Sequence, residues 1–160
     1  MLKAYSRAWC EIDYDAIAHN VDEVRKLVGN TKIIGIVKAN AYGLGAVECS
    51  RALQKAGIRF FGVSSVDEAV ELRENGIEDD ILILGYTPPE HFGKLVRYGL
   101  IQSLVSNAYA HKLEEYAAAG NATIRAHAKL DTGMNRTGII YQPDHKHFDE
   151  LKDVYHLDHI

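Results

Sequence analysis

The chain has 160 residues, 47% hydrophobic and 25% charged, which is ordinary globular usage and excludes disordered, fibrous and collagen-like classes. Eighteen Lys and Arg against 22 Asp and Glu leave a formal charge of −4, so there is no electrostatic case for nucleic acid or an anionic membrane as partner. Cys10 and Cys49 form neither a C-x-x-C nor a metal spacing, no apolar run nears the ~20 residues that span a bilayer, and no signal-like segment opens the chain; a reduced, cytoplasmic protein is expected.

In chain order, residues 8–12 alternate and read as a strand. Asp13 or Asp15 is placed to cap a helix with Ile17, Val21, Val24 and Val28 on one face. Residues 33–37 form a continuous apolar run, as in a strand buried on both faces. A helix follows over 46–56, then a strand over 59–64. Ser65-Val66-Asp67-Glu68 matches a capping box, and its helix runs to Asn75. Residues 81–84 make the next strand. Thr87-Pro88-Pro89-Glu90 reads as a second capping box with Pro at the helix start. A strand over 101–105, Asn107 as a cap, a helix over 108–119 and a strand over 123–130 complete the regular part. Phe148, Leu151, Val154 and Tyr155 mark one more helical face.

Glycines stop the helices at 29, 57, 76, 99 and 120, leaving room for one strand and one helix per unit. Repeated βα units with short connections predict a parallel sheet. A doubly wound sheet of the flavodoxin type is one arrangement. The preferred reading is an incomplete (β/α)₈ barrel of TIM type, about five of its eight strands. The chain after the last helix, Leu157-Asp158-His159-Ile160, looks like the approach to a sixth strand.

Reactive residues in parallel α/β folds gather where strands end and helices begin. Lys38 ends a wholly apolar strand and precedes Ala39-Asn40-Ala41-Tyr42-Gly43-Leu44-Gly45. A cation is costly to bury there, so a lowered pKa and a neutral, nucleophilic amine are expected. The alternative is a lysine that reaches solvent beside a glycine turn. Gly43-Leu44-Gly45 is no dinucleotide fingerprint, because position 48 is Glu48, and no phosphate-loop motif occurs. At the second junction, Lys129 and Asp131 share one side of a strand, and Arg136 sits in a Gly-flanked loop suited to forking onto an oxyanion. A surface salt-bridge cluster is the plainer account. His145, His147, His156 and His159 superficially suggest a metal, but no Cys or carboxylate framework accompanies them, so no metal is expected. His127 alternates toward the core or the site.

Three stretches together carry a resemblance. Residues 8–17, Val37-Lys38-Ala39-Asn40-Ala41-Tyr42-Gly43, and Asp131-Thr132-Gly133-Met134-Asn135-Arg136-Thr137-Gly138 resemble, in order, the opening, the cofactor-lysine motif and the D-T-G-M-x-R-x-G motif of bacterial alanine racemases. These are fold-type III enzymes that use pyridoxal 5′-phosphate. The likeness runs over nearly the whole chain. It implies that Lys38 joins the cofactor covalently and serves as one of two catalytic bases. By the same resemblance Tyr42 bonds the cofactor phosphate. Arg136 contacts the cofactor's phenolic oxygen and the substrate carboxylate. Lys129, carbamylated in many members, holds that arginine. Leu44 departs from the family, where many members have His.

The resemblance further implies that residues 1–160 are the N-terminal portion of the cofactor-binding barrel, in a homodimer that racemises L-alanine to D-alanine for peptidoglycan precursors. The second base, a tyrosine, and a C-terminal β domain are expected beyond residue 160, so the 160-residue chain alone is expected to be inactive. Three alternatives stand beside this: a serine racemase of the same family, a non-catalytic pyridoxal-phosphate-binding barrel, and a flavodoxin-like binding module.

Overall fold

A computed structural model describes residues 8–141 and 146–160, with the backbone alone at 146 and 147. Five parallel strands form one sheet: β1 (Gly35–Ile36), β2 (Phe60–Val63), β3 (Asp80–Ile83), β4 (Ile101–Leu104) and β5 (Ala126–Ala128). Each strand pairs with the next in the chain. That order decides between the two architectures. A doubly wound sheet reverses its order partway and takes helices on both faces. An unreversed order winds every crossover the same way, as in a TIM-type barrel, of which five strands are present.

The helices are α1 (Tyr14–Val28), α2 (Lys38–Tyr42), α3 (Ala46–Lys55), α4 (Val66–Glu74), α5 (Phe92–Arg97), α6 (Asn107–Ala119) and α7 (Lys146–Tyr155), with a short 3₁₀ turn at Pro89–His91. The core lies between them and one face of the sheet. Phe61, Val63, Ile81 and Ile83 meet Ala69, Leu72, Leu95, Ala110 and Leu113, all buried. Each large side chain buried this way contributes roughly 1.5–3 kcal/mol. On the opposite face Ile34 and Ile36 stay 36% and 40% exposed. The rings of Phe60 on β2 and His127 on β5 approach to 5.8 Å. Two strands separate theirs, so the sheet is curled.

Local signals set most of these elements. Asp13 caps α1, accepting from the Asp15 and Ala16 N–H groups, and Ser65 caps α4 through the Glu68 N–H. Elsewhere the structure corrects the sequence reading. Residues 8–12 form no strand; they are largely exposed and join neither sheet. Thr87 caps nothing. It is fully buried, and its hydroxyl donates to Gln102 Oε1 at 2.7 Å. The Gln102 amide donates to the Gly85 and Ser103 carbonyls, and the Tyr109 hydroxyl donates to the Thr87 carbonyl. Burial pushes the Tyr109 phenol up to about 12. Ser106, not Asn107, caps α6; the Asn107 side chain donates instead to Asp153 and the Glu150 carbonyl. Gly120 has φ −91°, and the left-handed turn falls on Asn121. His127 is exposed rather than buried.

The last helix and the segment after it are both fastened to α6 by polar pairs. His111 meets Asp153 at 2.6 Å, and the His159 ring meets Glu114 at 2.8 Å. Past α7, the His159 carbonyl accepts from the Ile124 N–H, which brings the chain beside the start of β5, where a sixth strand would lie. His145 and the His147 side chain lie outside the described residues. Among the described residues no cluster of His, Cys, Asp and Glu could hold a metal, and no helix is long and apolar enough to cross a membrane.

Gly85 follows β3 where two backbones nearly touch. A Cβ there would stand 2.4 Å from the Ser64 carbonyl oxygen. Backbone cannot yield as a side-chain tip does. Gly85→Ala is therefore expected to lower stability by about 1–3 kcal/mol, measured by urea denaturation. An unchanged midpoint would contradict the close approach.

Candidate active site at the C-terminal rim of the sheet

Lys38 stands directly after β1, where the Val37 N–H donates to the Gly62 carbonyl of β2 and so extends the strand pairing. The lysine is half-buried, and nothing among the described residues bonds its amine. The turn after it has the opposite hand to an ordinary helix. Ala39, Asn40, Ala41 and Tyr42 all have φ between 50° and 56°, so α2 winds left-handed. For L-residues this costs roughly 1–2 kcal/mol each, so other contacts must hold it. Some are local: the Ala46 N–H donates to Asn40 Oδ1, the Gly43 N–H reaches the Ala39 and Asn40 carbonyls, and Ala41 is buried. One is remote. Glu68, on the first turn of α4, accepts from the Ala39 N–H at 2.8 Å. Its other oxygen accepts from the Ser64 N–H and hydroxyl, both at 2.7 Å. The turn delivers Tyr42 to the surface, 67% exposed.

The second loop leaves the short pair β6 (Leu130–Asp131) and β7 (Ile139–Ile140), which continues from β5. Asp131 is buried. It accepts from the N–H groups of Gly133, Asn135 and Arg136 at 2.9, 3.0 and 3.0 Å. This nest of amides folds the loop around one carboxylate and leaves Arg136 exposed. Lys129 closes the loop from below, its amine donating to the Thr137 carbonyl, one residue past Arg136. Gly138 completes the turn at φ +124°; a Cβ there would meet the Lys129 carbonyl at 2.8 Å.

Lys38, Tyr42, Lys129 and Arg136 thus all lie past the C-terminal ends of strands, on one rim of the curled sheet. No bond joins the lysine loop to the arginine loop among the described residues. Lys129 touches the arginine's loop rather than its guanidinium. Two residues escaped the sequence reading. Glu68 was legible only as a helix cap, and Asp131 only as a neighbour of Lys129 and the opening residue of a motif, with no role assigned to it. An Asp followed by small and Gly residues is the local signature of such an amide nest. Glu68 gave no comparable signal toward Ala39, which is 29 residues away.

Both carboxylates are held ionised. Partial burial pushes Glu68 up, but the bonds from Ser64, Ala39 and Ser65 together outweigh it and hold its carboxyl below the usual range. The Gly133 and Asn135 N–H groups do the same for Asp131 against a smaller opposing effect of burial, with Arg136 and Met134 adding to them. A depressed folded pKa contributes stability that is present above the unfolded value and lost as pH falls through the folded one. The amide resonances of Ala39 and Arg136 are therefore expected to hold steady from neutral pH to about pH 4 and to shift only below it. Movement of both between pH 7 and 5 would contradict the assignment.

Comparison with known proteins points to one family. The family model for the alanine racemase N-terminal domain matches residues 12–159. Alanine racemase 1 of Clostridium acetobutylicum is 43% identical over 140 residues, which are 88% of this chain and 36% of that protein. The amino-acid racemase of Enterococcus faecalis is 46% identical over 136 residues, 84% of this chain and 19% of that protein. Among solved structures, alanine racemase of Clostridium difficile in complex with cycloserine superposes with a TM-score of 0.90 at 34% identity, covering 99% of this chain and 43% of that one. The chain therefore spans well under half the length of these relatives. A histidine racemase of Leuconostoc mesenteroides, 24% identical with a TM-score of 0.86, shares the fold. On the family match across nearly its whole length, the chain belongs to the alanine racemase N-terminal domain family.

Proposed function

We propose that this chain forms the N-terminal portion of the cofactor-binding barrel of a pyridoxal 5′-phosphate-dependent racemase, with alanine as its substrate. The observation that carries the reading is Lys38: an amine with no bonding partner among the described residues, at the end of β1, presented by a left-handed turn held from outside. The donor set suits the cofactor. An amine suits its aldehyde, the exposed Tyr42 phenol its phosphate, and the Arg136 guanidinium a phenolate or carboxylate.

Bound pyridoxal phosphate supplies an electron sink that makes the α-proton of an amino acid removable. Lys38 holds the cofactor and takes or returns that proton on one side of the α-carbon. Arg136 orients the substrate carboxylate, and Lys129 steadies Arg136 through the loop they share. The second base is assigned outside these 160 residues. A homodimer in the cytoplasm, supplying D-alanine for peptidoglycan precursors, completes the proposal.

Serine is the closest competing substrate, since one relative, from Enterococcus gallinarum, is a serine/alanine racemase. The test is interconversion of L- and D-alanine, and of L- and D-serine, by the full polypeptide with added cofactor. Faster turnover of alanine supports the proposal. Faster turnover of serine moves the substrate assignment, and loss of both refutes the racemase reading.

A further inference from the structure

We propose that Glu68 is a positioning residue for Lys38, fixing through the Ala39 N–H the left-handed turn that presents the amine; the inference rests on Lys38 being the cofactor lysine. Among the described residues, Glu68 is the one side chain from outside the 37–46 segment that hydrogen-bonds Lys38–Tyr42, the Cys49 thiol reaching only the Leu44 carbonyl beyond the turn. Its oxygens divide the work. Oε1 takes the Ala39 N–H, in the peptide that leaves Lys38, and Oε2 takes both donors of Ser64. Ser64 directly follows β2, the strand that pairs with β1. The carboxylate therefore ties the end of one strand to the turn after its neighbour.

An ordinary capping box would send this side chain back to the Ser65 N–H. Here the Ser65 N–H is a minor partner, and the carboxylate reaches on to Ser64 and Ala39. The Ala39 N–H and both Ser64 donors converge on two oxygens within 2.8 Å, with the Ser65 N–H beside them, and no uncharged side chain of this size offers two acceptor oxygens. Gln presents one oxygen and an NH₂ group, which would face an N–H or hydroxyl donor. Asp falls short by one methylene.

Helix capping alone is separable from this role. The Ser65 hydroxyl caps α4 through the Glu68 N–H and does not touch Ala39. Ser65→Ala should therefore weaken the helix and leave Lys38 in place.

The test compares wild type, Glu68→Gln and Ser65→Ala as full polypeptides. One readout is hydrogen exchange at the Ala39 amide without cofactor. The other is the rate at which pyridoxal phosphate followed by borohydride labels Lys38, relative to the other lysines, by peptide mass mapping. Glu68→Gln is expected to speed Ala39 exchange at least about tenfold and to slow relative Lys38 labelling by a similar factor, while Ser65→Ala changes neither. Unchanged Ala39 exchange in Glu68→Gln overturns the proposal, as does faster exchange with unchanged labelling. Equal effects of the two variants also overturn it, because they reduce Glu68 to a helix cap. If Glu68→Gln does not fold, Glu68→Asp is read by the same criteria. Wild-type labelling that does not favour Lys38 would count against the cofactor reading itself, and Ala39 exchange would still decide whether Glu68 holds the turn.

Discussion

Lys38→Ala is expected to abolish racemisation by the full polypeptide, with a loss of about a thousandfold or more. The reason is positional. The other lysine on the rim, Lys129, spends its amine on the Thr137 carbonyl and braces the neighbouring loop. Lys38 alone combines strand-end placement with an amine left without a partner among the described residues. Alanine is tolerated sterically, since it only removes atoms beyond Cβ from a half-buried side chain whose amine bonds nothing among the described residues, so the fold and its thermal midpoint should persist. A small exogenous amine such as methylamine is expected to restore part of the activity, because the deletion removes a reagent rather than a support. Steady-state assays with and without the amine provide the check. Activity within tenfold of wild type without added amine would reject Lys38 as the reacting group.

Asp131→Asn carries the second large effect. The substitution keeps the shape but replaces one acceptor oxygen by an NH₂ group. Three backbone N–H groups, those of Gly133, Asn135 and Arg136, converge on the native carboxylate. The amide cannot accept all three, so at least one donor meets a donor. The loop should open, and Arg136 should lose its fixed approach to the rim. A displacement of about 1 Å at a positioning group can cost about a hundredfold in rate, and that is the expected fall in activity. Hydrogen exchange should quicken at residues 133–136 and stay slow in β3 and β4. Slow exchange in the loop together with wild-type activity would show that the carboxylate is not what shapes it.

How far the sequence carried the fold depends on the range of the forces involved. The Asp13 and Ser65 caps were readable because a cap acts over two or three residues. The strand runs were readable because a parallel sheet with a covered face demands apolar side chains in succession. Thr87 misled because the same residue type caps a helix or joins a buried network, and its choice of Gln102 is a tertiary event 15 residues away. Residues 8–12 misled because alternation marks an extended segment but does not by itself place that segment in a sheet.

The site divides in the same way. The Asp131 nest reaches only two to five residues and sits within one motif. The left-handed turn after Lys38 was not legible. Of its four residues only Asn40 is at ease in that conformation, and its remote hydrogen bond comes from Glu68. Motif resemblance located Lys38, Tyr42 and Arg136. The fold adds what holds two of them: one ionised carboxylate beneath each loop.

Whether Lys38 is the amine that meets the cofactor is decided by reducing the wild-type polypeptide with borohydride in the presence of pyridoxal phosphate and mapping the modified peptide. A single dominant pyridoxyl-lysine is expected at Lys38, within the segment Val37-Lys38-Ala39-Asn40-Ala41-Tyr42. Dominant labelling at Lys129, or an even spread over the surface lysines, would refute that assignment.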